Sequence, residues 1–123
     1  MAIYFYTARP AALLNEFNAR LVHRDEWKRI EAWARREDVD AFTHVADGWA
    51  DQAWLKPRID ENRLTFNIVK QEGGQASATV YSFYHGDMVE AFLRQLDLWF
   101  DLVSITPRCT DGDAWASNTV NYF

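Results

Sequence analysis

The hydrophobic pattern of this chain switches several times between a period of two residues and a helical period. Leu64, Phe66 and Ile68 alternate with polar residues, which predicts a half-buried strand. The apolar and aromatic run at residues 3–6 predicts another strand. Strand patterns joined by short turns and interrupted by helical patterns favour an antiparallel or mixed sheet with helices packed mainly on one face. The sequence therefore predicts an α+β fold.

The predicted elements follow the order β-α-β-β-α-β-β-β-α-β, with about three helices. In chain order they are a strand at 3–6, a helix at 10–22, a hairpin between 27 and 45, a short helix from 47 that ends before Pro57, a short strand at Ile59, strands at 63–68 and 78–84, a helix at 87–103 and an edge strand at 103–106. Asp87 is predicted to cap the last helix, with Glu90 as its capping-box partner and Gly86 in the preceding turn. The apolar residues 120–123 are predicted to dock on the body of the protein.

Length and composition predict one domain covering residues 1–123. A chain of 123 residues fits a single core, and six Trp, five Tyr and eight Phe supply apolar surface for it. This aromatic content excludes a disordered tail and a collagen-like repeat.

The charge pattern argues against generic nucleic-acid or anionic-membrane binding. The net charge is −5, and both of those partners need a surface that attracts phosphate. Residues 20–36 differ from the rest, because they contain six basic and three acidic residues. A partner that meets this segment is expected to be a protein with an acidic surface.

Cysteine content and the N-terminal sequence predict a cytoplasmic location. Cys109 is the single cysteine, so it cannot form a disulfide within the chain. The first residues lack the basic and apolar regions of a secretory signal, and no apolar run is long enough to span a bilayer. The sequence contains none of the nucleotide-binding, hydrolase or zinc-site motifs, and no cofactor or metal is predicted.

Two histidines and two aspartates are the candidates for chemistry. His85 and Asp87 lie where a strand is predicted to end and a helix to begin, a position that suits anion binding or acid–base work. His44 and Asp47 lie at another such junction, and the four side chains would form a metal site only if the two junctions met. The alternative is that Asp87 is only a helix cap and His85 an ordinary residue at a strand end, which capping alone explains.

Tryptophan and arginine residues in the predicted hairpin form the candidate binding surface. Both residue types are enriched at protein–protein hot spots, and aromatic rings among basic residues also hold single-stranded nucleic acids. The alternative is that the tryptophans fill the core while the arginines form a solvated face. The candidate binding residues are Trp27, Arg29, Trp33, Arg35 and Arg36.

These observations favour a non-enzymatic binding protein, such as a regulator, inhibitor or accessory protein. The second hypothesis is a small-ligand binder or minor enzyme with a pocket near His44, His85 and Asp87. The third is a homo-oligomer in which an edge strand pairs across a twofold axis. A pocket of about 300 Å³ or more, lined by aromatic residues and by converging His and Asp, would favour the second, and a flat patch would favour the first.

Overall fold

The residues that the structure describes form a six-stranded sheet with two helices. The computed structural model describes residues 1–70, 78–108, 110 and 113. The elements are β1 (Ala2–Tyr6), α1 (Pro10–Leu21), β2 (Trp33–Arg36), β3 (Ala41–His44), β4 (Ala53–Asp60), β5 (Arg63–Lys70), α2 (Ala78–Gln95) and β6 (Leu102–Ile105). The strands lie in the order β2-β3-β4-β5-β1-β6, and every paired neighbour is antiparallel. The predicted α+β class is confirmed, with two helices rather than about three.

Both helices pack on the same face of the sheet. The rings of Phe17 in α1 and Phe92 in α2 stack with centroids 4.9 Å apart, and both contact Phe66 of β5. Leu64, Phe66 and Ile68 are fully buried, because their alternation directs all three toward the helices. The opposite face of the sheet is more polar, and there Arg63 lies over the ring of Tyr4.

The segment predicted as a strand at 78–84 is helical, and this prediction was wrong. Helix α2 begins at Ala78, so Asp87 lies in its second half and caps nothing. Tyr84, Met88 and Phe92 are fully buried at steps of four residues, which extends the helical period upstream of Gly86. The helix ends at Gln95 rather than at 103, and a single 3₁₀ turn follows at Asp97–Trp99.

The short helix predicted from Asp47 is also absent. Gly48 and Asp51 adopt positive φ angles of 84° and 60°, which an α-helix does not allow, and strand β4 begins at Ala53. Strand β4 runs through Pro57 and includes the predicted strand at Ile59. It tolerates the proline because its register with β3 is confined to the Phe42–Leu55 pair, so Pro57 has only β5 beside it.

The remaining predictions agree with the structure where it describes them. The strand at 3–6, the helix at 10–22, the strand at 63–68 and the edge strand at 103–106 are confirmed, each within a few residues of the predicted bounds. The hairpin is present but shorter, since β2 begins at Trp33 and a 3₁₀ turn occupies Glu26–Lys28. Its turn uses Asp40 at a φ of 49° in place of glycine. Residues 120–123 and Cys109 lie outside the described residues.

No helix in the described ranges has both the length and the apolar character needed to span a membrane.

Candidate binding cleft

A cleft of about 800 Å³ lies between the segment that precedes β2, the end of β3 and the end of α2. Trp27 and Arg29 line it from the first of these segments, and His44 lines it from β3. Arg94 and Gln95 line it from the last turn of α2. Its other lining residues are Glu26, Glu31, Ala32, Val45 and Ala46. The cleft therefore joins two residues of the predicted binding surface to one of the predicted catalytic candidates.

Trp27 lies exposed at the cleft. It belongs to the 3₁₀ turn at Glu26–Lys28 and is 74% exposed. The Nζ atom of Lys28 lies 4.6 Å from the centroid of its ring, at cation–π distance. Directly after this turn Ile30 is buried, and its N–H donates to the carbonyl of Arg20 at 2.8 Å. Burial of Ile30 fixes the turn to the body and leaves the indole outside.

Arg29 is held in place by its own segment. Its Nε donates to the carbonyl of His23 at 2.7 Å, and its guanidinium also donates to the carbonyl of Arg24 at 3.2 Å. A carboxylate oxygen of Glu31 lies 3.7 Å from the same guanidinium. Arg29 thus presents a fixed positive charge beside Trp27, with Glu31 as a nearby counter-ion.

His44 and Asp87, two of the three residues that the second hypothesis places at one pocket, are hydrogen-bonded. His44 is 5% exposed, and its Nε2 lies 2.7 Å from an Oδ atom of Asp87. The N–H of Ala46 donates to His44 Nδ1 at 3.1 Å, so Nδ1 acts as the acceptor and Nε2–H donates to the carboxylate. Both ring nitrogens are therefore engaged, and neither is directed at a reacting group. In a working acid–base histidine one nitrogen faces the substrate.

His85 lies in different surroundings. It is 2% exposed, its ring contacts Tyr81 at 4.3 Å between centroids, and its Nδ1 lies 3.0 Å from the Tyr81 carbonyl. Burial lowers the pKa of His85 to about 4. Asp47 is exposed in the turn after β3. The described residues contain no group of three or more His, Cys, Asp or Glu side chains placed to hold a metal ion.

The arginines of the β2 hairpin are paired with carboxylates outside the basic segment. Arg35 donates to Asp40 at 2.7 Å, and this hydrogen bond holds the pKa of the Asp40 carboxyl below its usual range. Arg36 contacts Asp51 and Asp38. The positive charge that the sequence places in this segment is thus largely compensated in the folded protein.

Three of the tryptophans near the basic segment serve packing. Trp33 is 2% exposed and packs against His44 and Tyr84 with ring centroids 5.2 and 5.5 Å away. Trp54 is 8% exposed, and Trp49 stacks on Phe83 at 3.9 Å. Of the predicted binding residues, Trp27 and Arg29 line the cleft, while Trp33 is a core residue and Arg35 and Arg36 lie at the neighbouring sheet edge.

Arg94 and Gln95 are cleft residues that the sequence pattern did not indicate. The predicted helix continued to residue 103, which would have placed both inside a long helix rather than at its end. Arg94 forms an i,i+4 ion pair with Glu90 at 2.7 Å, and Gln95 accepts a hydrogen bond from Arg20 at 3.2 Å. The sequence offered one signal: Glu90 and Arg94 are four residues apart, a spacing typical of an ion pair on the solvent-facing side of a helix.

The fold and the cleft define the class of protein: an α+β protein with a fully antiparallel sheet, helices on one face and an open cleft beside an exposed tryptophan. The chain matches no protein-family model, and comparison with curated proteins and with solved structures finds no match either.

Proposed function

We propose that this chain is a non-enzymatic binding protein and that a partner protein docks at the cleft with Trp27 as its anchor. The observation that carries the proposal is the 74% exposure of this indole beside a cleft of about 800 Å³. Tryptophan and arginine are the residue types most enriched at the hot spots of protein interfaces, and Trp27 and Arg29 both line this cleft.

The exposed indole is large enough to anchor a partner. A tryptophan buries roughly 200 Å² when fully enclosed, so covering three-quarters of it at about 25 cal/mol per Å² contributes on the order of 3 to 4 kcal/mol. Arg29 adds a guanidinium that its carbonyl contacts already hold in one orientation. Little side-chain entropy is therefore lost when a partner binds it.

An acidic partner surface suits the cations around Trp27. Arg24 lies three residues before Trp27 and Lys28 follows it, and neither has a carboxylate within 4 Å among the described residues, although Asp25 and Glu26 lie between them in the chain. Cations at the rim of an interface accelerate association with an acidic partner. The location that we propose is the cytoplasm, on the ground that Cys109 is the single cysteine.

The engagement of His44 favours binding over catalysis. Proton transfer from Nε2 would break its hydrogen bond to Asp87, and proton transfer to Nδ1 would break the bond from Ala46. The pair is arranged to hold the end of β3 against α2 instead.

The test compares partner capture by the wild-type protein, Trp27→Ala and Leu98→Ala. Leu98 is 92% exposed outside the cleft and serves as a matched apolar control. We expect Trp27→Ala to lose the stoichiometric partner while its denaturation midpoint stays unchanged, and Leu98→Ala to retain the partner. Charge reversal at Arg24 and Lys28 should slow association and reduce its dependence on salt. Full retention of every partner by Trp27→Ala would refute the proposal.

A second candidate is the binding of a small ligand in the same cleft. Its volume of about 800 Å³ falls within the range of ligand sites, but among the described residues Trp27 is the one aromatic residue and His44 the one histidine in its lining, and no aspartate lines it. Native mass spectrometry after incubation with the small-molecule fraction of a cell extract distinguishes the two candidates. A bound small molecule that is lost in Arg29→Ala would support the ligand, and its absence together with a captured protein would support the protein partner.

A further inference from the structure

Two histidines beside the cleft make the same short-range hydrogen bond. The N–H of Asp25 donates to His23 Nδ1 at 3.0 Å, and the N–H of Ala46 donates to His44 Nδ1 at 3.1 Å. In each case the donor lies two residues after the histidine, as in the turns that Asn and Asp side chains form. An imidazole nitrogen accepts such a bond only while it carries no proton. Both contacts therefore require that Nδ1 is unprotonated.

The bond at His23 lies at the start of the segment that carries Trp27. The 3₁₀ turn that contains Trp27 follows Asp25 directly, and the N–H of Lys28 donates to the Asp25 carbonyl at 3.0 Å. The carbonyl of His23 accepts the 2.7 Å hydrogen bond from Arg29 Nε. His23 thus contacts both ends of the segment whose indole and guanidinium line the cleft.

The bond at His44 fixes a second wall of the cleft. Val45 and Ala46, which line the cleft, follow this histidine at the end of β3. Asp87 holds the ring from the other side, because its carboxylate lies 2.7 Å from Nε2. A proton on Nδ1 would place two N–H donors face to face at 3.1 Å. Since Asp87 retains the ring, the displacement falls on the backbone at Val45 and Ala46.

Each ring has its own charged and titratable surroundings. Asp87 is the carboxylate that contacts His44, and the aromatic rings that pack on this histidine are those of Trp33, Phe83 and Tyr84. The charged residues that line the same cleft are Glu26, Arg29, Glu31 and Arg94. The charged groups around His23 are those of its own segment, Arg24, Asp25 and Arg29. Within the described part of the chain, the two donor N–H groups have no acceptor other than these histidine rings, so protonation leaves both without a partner.

We propose that protonation of His23 and His44 loosens two walls of the cleft and weakens partner binding, a regulation that rests on the binding function proposed above. The unprotonated rings hold the turn with Trp27 and the end of β3 in the binding arrangement. Histidine is the usual pH-responsive side chain of proteins and changes its charge between about pH 8 and 5. The cleft therefore binds its partner near neutral pH and releases it on acidification.

The first experiment needs no partner and follows the amide signals of Asp25 and Ala46 by NMR from about pH 8 to 5. We expect each amide proton to shift upfield as its histidine gains a proton, because the hydrogen bond is lost. His23→Asn and His44→Asn are the matched variants, since an asparagine oxygen accepts the same bond and does not titrate. Each should abolish the shift at its own site alone. An amide signal that keeps its position over this range in the wild-type protein would overturn the proposal.

The second experiment measures partner binding at about pH 7.5 and 5.5 for the wild-type protein and the double variant His23→Asn/His44→Asn. We expect the wild-type dissociation constant to rise at least about fivefold in acid, the effect of one lost hydrogen bond, and that of the double variant to change less. His23 is only half-buried, so His23→Asn alone should fold and remove part of the response even if His44→Asn weakens the fold. His85→Leu is the control and should respond like the wild-type protein.

Two results of this second experiment would overturn the regulation. One is equal wild-type affinity at both pH values, and the other is a double variant as sensitive to pH as the wild-type protein. Failure of the binding function has a different signature. Retention of the partner by Trp27→Ala would overturn that function and this regulation with it, while the amide shifts of Asp25 and Ala46 would be unaffected.

Discussion

His85 should make the stability of this protein fall as the pH is lowered from neutral. Burial holds its pKa at about 4, and in the unfolded chain a histidine titrates near 6.5. Between these two values the unfolded chain binds more protons than the folded protein, so acidification favours unfolding. A difference of about 2.5 pKa units corresponds to roughly 3 kcal/mol, fully present above pH 6.5 and lost by about pH 4.

The assay measures the free energy of unfolding with urea at several pH values for the wild-type protein and for His85→Leu. We expect the variant to lose about 3 kcal/mol less than the wild-type protein between pH 7 and 4, whatever its stability at pH 7. The carboxyl groups of Asp40 and Asp60, whose pKa values are held below the usual range by hydrogen bonds from Arg35 and Arg58, also make stability fall in acid, but both proteins contain them and their contribution cancels in the comparison. Equal pH dependence in the two proteins would show that His85 is not buried in its neutral form.

Three further changes test individual features. Gly86→Ala should raise the free energy of unfolding by about 0.5 to 1 kcal/mol, because Gly86 lies inside α2 and a Cβ there meets nothing within 4 Å. A loss of stability in urea denaturation would instead support the turn that the sequence predicts at Gly86. Trp33→Ala should lower the free energy of unfolding by about 3 to 5 kcal/mol, because it leaves a cavity in the core. A thermal midpoint equal to that of the wild-type protein would contradict the burial of Trp33. Asp87→Ala should lower the free energy of unfolding by about 1 to 3 kcal/mol, because it leaves the N–H of His44 without an acceptor. Asp87→Asn keeps an acceptor oxygen and should cost less. Equal urea midpoints for the two variants would argue against the hydrogen bond between His44 and Asp87.

Elements whose patterns are unambiguous could be predicted from the sequence. The alternation in β5 and the apolar run in β1 report burial directly, because each side chain that faces the helices is apolar. Helix α1 begins at Pro10, where the fixed φ of proline suits a first turn. The existence of a basic, tryptophan-bearing segment was equally visible, and part of it lines the cleft.

Helix α2 shows why the rest could not be predicted. Intrinsic propensity favours a strand at Val80, Tyr81, Phe83 and Tyr84, and the glycine at position 86 indicates an interruption of a helix. Packing of Tyr84 into the core outweighs these preferences, and an isolated glycine costs a helix only about 1 kcal/mol.

The candidate site depended on these boundaries. Once α2 begins at Ala78, Asp87 points from the middle of the helix toward His44, while His85, two residues away, contacts Tyr81 instead. A sequence pattern shows that two histidines and an aspartate exist, but the rotation of one helix decides which of them meet.

The position of β1 between β5 and β6 bears on how the chain folds. Strand β1 pairs on one side with residues 63–67 and on the other with residues 102–105, so both of its ladders join segments far apart in the sequence. During synthesis the first strand is made long before either partner, and it can complete its pairing only when β6 has emerged. Contacts of such high sequence separation slow folding, typically to milliseconds or longer. The apolar residues of β1 therefore lack one of their two partner strands until residues 102–105 have been synthesised.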